Sequence, residues 1–140
     1  MVQVLESRAL LAAFGSGNVV VYRVGTGTGN LVNTGNSVFL DEFSPSGALV
    51  QSLAMPSSDP DGAGPGRALV ASGVATSEGG LSRSGDGRFL LIPGYAATST
   101  SGSLANTNPS SINRVVARVD ATGSIDTTTS FNDGGSNNIR

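Results

Sequence analysis

After Phe14 no stretch of this chain sustains a helical apolar period; short runs of β-branched and aromatic residues recur instead, closed by Gly, Pro or Asp. That punctuation restricts the chain to an all-β fold of short strands. Asn18 to Val24 (NVVVYRV) lies between Gly-rich flanks and reads as a buried strand. Ser37 to Phe43 and Ala48 to Ala54 follow, joined by Ser44-Pro45-Ser46-Gly47. In that turn Pro presets φ and Gly accepts a positive one. Met55-Pro56 ends the third run, so these residues predict an antiparallel meander.

Ser57 to Gly66 is a Pro/Gly/Asp loop too polar to order itself alone, and Ala68 to Val74 reads as a strand or a loop arm. Gly80 to Ser84 leads through Asp86-Gly87 into Phe89 to Ile92, a hairpin of two short strands that Pro93-Gly94 is expected to stop. Thr98 to Ser111 is a low-charge loop. Arg114 to Asp120 alternates apolar and polar residues as a half-buried strand does. Ala121-Thr122-Gly123 turns the chain into a Thr-rich closing strand within Ser124 to Phe131, centred on Ile125 to Ser130.

Two of these hairpins match. Phe43-Ser-Pro-Ser-Gly-Ala-Leu49 aligns with Val119-Asp-Ala-Thr-Gly-Ser-Ile125, 76 positions on, and Val19 to Tyr22 with Phe89 to Ile92, 70 positions on. A repeat of this kind completes its core by stacking on its neighbours, and four short strands with Gly-rich corners make a β-propeller blade. The expected organisation is an N-terminal segment (1–17), a first, incomplete blade (18–57), a connection (58–74), a second blade (75–132) and the start of a further blade (133–140).

The stretch Leu81 to Gly94 (LSRSGDGRFLLIPG) resembles the Ser-x-Asp-Gly-Arg-x-Leu hairpin of blades in YVTN-like, TolB-like and related bacterial β-propellers. It departs from the common Pro-Asp-Gly form by placing Gly85 before Asp86-Gly87. Over Asn18 to Arg140 the chain looks like the opening portion of large bacterial extracellular propeller proteins. The resemblance implies further blades beyond Arg140 and a surface or secreted setting. It implies no catalytic residue.

Composition removes most catalytic chemistry from the chain itself. Cys, His, Trp and Lys are absent, so a Ser-His-Asp triad, a Cys-His pair, a disulfide framework and the usual zinc ligand sets cannot be built. A net charge of −2, with charges at only 13% of positions, argues against nucleic acid as a partner. No apolar run reaches the roughly 18 residues of a spanning helix, and Met1 to Phe14 lacks the charge pattern of a secretory leader.

Individual motifs fail on inspection. Asp59-Pro60-Asp61-Gly62 clusters carboxylates as a calcium loop would, but Val70 stands where the closing Glu is required. Gly25-Thr26-Gly27-Thr28-Gly29 lacks the Lys and the following helix of a phosphate loop. Asp41 and Glu42 are neighbours on a strand and point to opposite faces; one is expected in solvent and the other on an Arg or a backbone donor. Ser77 sits in a broken nucleophile elbow with no His for a base. Arg83 and Arg88 are expected to brace the Asp86 turn.

Position then nominates Glu78, Asn138 and Arg140. The first lies before the inner strand of the second blade, the others at the matching place before a third, so together they would offer a carboxylate, an amide and a guanidinium to a polar small molecule or glycan. No catalytic residue, metal ligand or cofactor is assigned. The expected function is a non-catalytic recognition or structural module of a bacterial surface or secreted protein. Two alternatives are a propeller enzyme, a hydrolase or lyase, whose site needs residues beyond this chain, and an oligomerising β-sandwich fragment. The expected partners are other copies of the chain, closing as three or four, or the remaining blades of a parent.

Overall fold

The computed structural model describes residues 13–59, 66–99, 101–133 and 139. Among them there is no helix, and nine strands run antiparallel. They are β1 (Val19–Val24), β2 (Gly35–Phe43), β3 (Leu49–Ala54), β4 (Val70–Ser72), β5 (Ser82–Arg83), β6 (Phe89–Tyr95), β7 (Arg114–Asp120), β8 (Ile125–Asp126) and β9 (Ser130–Phe131). The main path of pairing is β1-β2-β4-β6-β7-β8, with β3 on β2, β5 on β6 and β9 on β7.

The path contains two meanders. In the first, β2 pairs with β1 from Val19↔Phe43 to Val24↔Val38 and with β3 from Phe43↔Leu49 to Phe39↔Ala54, with a bulge beside Val50. In the second, β6 pairs with β5 and, over seven residues, with β7, which carries β8 and β9. Strand β2 belongs to both halves, because Gly35–Ser37 pair with β4 while Val38–Phe43 pair with β1 and β3. The meanders close over one core of Val38, Leu40, Leu53, Met55, Leu69, Ala71, Ile92, Val115, Ala117 and Val119.

Two strands depart from the sequence expectation, and a third, β4, resolves the strand-or-loop-arm alternative left open at Ala68 to Val74. Strand β6 runs on through Pro93-Gly94 to Tyr95. Proline is tolerated because β5 reaches only to Leu91 and β4 only to Tyr95, so no strand beside Pro93 requires its missing N–H. Gly94 is needed for close approach: a Cβ there would lie 2.7 Å from Leu69 Cγ. The connection 58–74 contains a true strand, β4, which joins the two halves. The closing strand splits into β8 and β9, because Asp126 Oδ1 accepts from Thr128 N–H at 2.9 Å and Thr128 Oγ1 at 2.7 Å, an Asx turn that interrupts the ladder.

The repeated hairpin is the same object twice. Ser44 N–H donates to Ala48 O at 2.9 Å and Gly47 N–H to Ser44 O at 2.9 Å; Asp120 N–H donates to Ser124 O at 3.1 Å and Gly123 N–H to Asp120 O at 3.0 Å. Gly47 and Gly123 have φ of 83° and 81°, values that suit glycine. With that turn as anchor, Leu40 corresponds to Val116 and Glu42 to Arg118.

The equivalence exposes an asymmetry. Leu40 and Glu42 face the shared core, whereas Val116 and the exposed Arg118 lie on the far side of the second meander. Conversely Val119 is core, and its counterpart Phe43 is on the far side of the first. The registers Val20↔Glu42 and Leu91↔Arg118 put β1 and β6 71 positions apart, one more than the matched apolar runs. A one-residue shift exchanges the two faces of a strand. The two meanders therefore meet through non-equivalent faces.

Candidate functional site

Two places gather polar chemistry. The first surrounds Glu78, in the loop between β4 and β5. Its Oε1 accepts from Tyr95 Oη–H at 2.6 Å and its Oε2 from Ser72 N–H at 2.9 Å, so one carboxylate ties β6 to β4. Tyr95 is buried, with the Arg114 guanidinium 4.6 Å from its ring centroid. Arg114 is also buried, and it donates to Thr107 O at 2.5 Å and Ile112 O at 2.6 Å, which pins the β6–β7 loop to the sheet. Tyr22 completes the wall, donating to Pro93 O at 3.3 Å beside Gly79.

Burial pushes the Glu78 carboxyl above its ordinary 4.5, against the opposing pull of Tyr95, Ser72 and Arg114. Burial, reinforced by the Glu78 charge, raises both Tyr95 and Tyr22 far above the usual phenol range. Ser72 Oγ is buried with no hydrogen-bond partner among the described residues. The arrangement holds a carboxylate reluctant to ionise, two un-ionised phenols and a spare hydroxyl.

The sign of the pH effect follows. A carboxyl whose folded pKa is raised keeps its proton in the native state over a window where the unfolded chain has released it. Its contribution to stability therefore falls as pH rises through and above about 4.5. The stability of the wild type relative to Glu78→Gln is expected to decline from pH 4 to pH 7. Urea midpoints of both proteins at the two pH values check this, and a flat or rising difference contradicts it.

The second place is an open cleft of about 440 Å³ where the start of β1 meets the β5–β6 and β7–β8 turns, lined in part by Phe14, Asn18, Val20, Arg83, Arg88 and Asp120. Its charged groups are engaged locally. Arg83 Nε–H donates to Gly87 O at 2.9 Å, Arg88 lies over the Phe89 ring, and Asp120 Oδ1 accepts from Thr122 and Ser124. The bracing expected of Arg83 is present; Arg88 adds a backbone N–H to Asp86 Oδ1 at 3.1 Å.

Of the nominated trio, Glu78 stands in the Tyr95 cluster, while Asn138 and Arg140 lie outside the described residues. Sequence reasoning missed Tyr95 and Arg114, because stopping β6 at Pro93-Gly94 left Tyr95 in a loop; their Tyr95↔Arg114 pairing is the step it lost.

The Asp41–Glu42 expectation needs correction: the two do face opposite ways, yet neither is in solvent. Asp41 Oδ2 accepts from Arg23 Nε–H at 2.5 Å, and Asp41 Oδ1 from Ser52 Oγ–H at 2.5 Å. Glu42 accepts from Gly15 N–H at 2.6 Å, Asn18 Nδ2 at 2.7 Å and Gln51 Nε2 at 2.6 Å.

Asp59 spends Oδ1 on Ala68 N–H at 2.7 Å, and Asp61 lies outside the described residues. Among the described residues no three His, Cys, Asp or Glu side chains group to hold a metal, and no helix is long and apolar enough to cross a membrane. Comparison with known proteins returns no matching family model, curated protein or solved structure.

Proposed function

We propose that this chain is a non-catalytic stacking module: two blade-like units of propeller type, serving structure or recognition in a bacterial surface or secreted protein. The observation that carries this reading is the use of non-equivalent faces at the shared core. Two repeats closing as a self-contained sandwich about a two-fold axis would bury the same face twice and leave the same face outside. Units that stack like blades bury opposite faces, so each end of the stack keeps a surface of the kind used inside. Supporting the reading, Val19, Val21 and Leu49 on the far side of the first meander are 58%, 43% and 57% exposed.

Chain extension tests it. A second copy of residues 75–132 appended to the chain should raise the urea midpoint in a single cooperative transition, because each interface adds to the stability of a stack. An appended copy that melts separately, with the original midpoint unchanged, would mean a closed sandwich.

A further inference from the structure

The two outer faces can be compared row by row. On the first meander, the side turned from the core presents Val19, Phe43 and Leu49 in one row across the strands, Val21, Asp41 and Ser52 in the next, and Arg23, Phe39 and Ala54 in the third. By the hairpin equivalence this is the counterpart of the side of the second meander that builds the core, where Val119 and Ile125 stand at the places of Phe43 and Leu49. On the second meander, the side turned from the core presents Leu91, Val116 and Arg118, at the places of the core-facing Val20, Leu40 and Glu42.

We infer that these outer faces are the two halves of one interface, and that a second copy of this chain docks head to tail, first-meander face onto second-meander face. The inference rests on the stacking reading above and adds the partner, the direction and the residues.

Charge placement is compatible with close approach. Arg23 is held by Asp41 and stacks on Phe39, 4.1 Å from its centroid, and Arg118 is held by Asp126 and lies over Phe89 at 5.4 Å. Arg23 and Arg118 thus enter the contact already paired, the first beside the apolar row Val19–Phe43–Leu49, while Arg88 over the Phe89 ring and Asp120 opposite Phe89 stand at the turn end of the second face. The β6–β7 loop covers only the Tyr95–Arg114 end of the second face, by packing Leu104 and Ile112 there, and leaves Arg118 open. Heterologous contacts of this kind repeat until they close a ring or run on as a filament.

A mixing experiment decides it. Val19→Glu blocks the first face at a residue exposed enough to leave the fold intact, and Val116→Glu blocks the second; unfolding midpoints verify both, and Arg118→Glu replaces the latter where Val116→Glu does not fold. Light scattering should show wild-type assemblies larger than a dimer at micromolar concentration, each variant alone at 14.0 kDa, and an equimolar mixture at twice that mass and no more. In the mixture one intact first face meets one intact second face, and both remaining faces are blocked. A wild type that stays at 14.0 kDa, a mixture that does not pair, or an association that one substitution leaves untouched overturns the inference. The last result would mean a symmetric dimer through a single face. Because chain extension reads stacking within one chain, failure here and failure there are told apart.

Discussion

Glu42→Ala is expected to destabilise the fold by about 2–4 kcal/mol, because it strips the acceptor from three donors at once. Gly15 N–H, Asn18 Nδ2 and Gln51 Nε2 all converge on this fully buried carboxylate, which couples the segment before β1 to the middle of β2 and to β3. Burial alone would raise its pKa; the bonds from Asn18, Gln51 and Gly15 outweigh burial and hold it below the ordinary 4.5. A depressed pKa contributes stability that is present above about 4.5 and lost as pH falls through the folded value. The penalty of the substitution should therefore be largest at neutral pH and shrink on acidification. Urea denaturation followed by circular dichroism measures it. A loss below about 0.5 kcal/mol at pH 7, the range of an ordinary surface change, would mean that water replaces the carboxylate without cost.

Two residues along the same strand, Leu40→Ala is expected to cost about 2–5 kcal/mol, the range for deleting a buried leucine that leaves a cavity. Leu40 is wholly inaccessible, pairs across the ladder with Tyr22 and Leu53, and packs against the side chains of the second meander. Val19→Ala, on the far side of the neighbouring strand, should cost under about 1 kcal/mol in dilute monomer. The contrast is the test of facing. Comparable losses at both positions would mean that the far side of the first meander is also covered in solution.

Much of the architecture was readable because local signals agreed. Arg114 to Asp120 alternates cleanly and ends in a Gly turn, and its bounds in the structure are the expected ones. The hairpins at Gly47 and Gly123 were readable for the same reason. Signals that depend on a neighbour were not. Whether Pro93 stops a strand is decided by the absence of a strand across from it on the side away from β7, a tertiary fact. Facing was lost in the same way: Val19 to Tyr22 and Phe89 to Ile92 are continuous apolar runs, and sliding one along the other by a residue leaves the pattern equally apolar while exchanging the faces. Of the candidate site, Glu78 was nominated by position, but its partners Ser72 and Tyr95 stand 6 and 17 residues away. No local pattern joins residues so spaced.

The sharing of β2 between two ladders sets the order in which this chain can assemble. The Gly47 and Gly123 hairpins close over a handful of residues and form on their own timescale, independently of one another. Joining Gly35–Ser37 to β4 closes a far longer loop, 35 residues from Asn36 to Ala71, and the entropy of that closure is lost before any of its contacts form. Until it happens the first meander has a finished ladder and no floor beneath it. The capture of three residues at the start of β2 is therefore expected to weigh on the folding rate: in stopped-flow refolding, substitutions at Gly35, Asn36 and Ser37 should slow folding, and equally costly ones at the hairpin tips should mainly hasten unfolding.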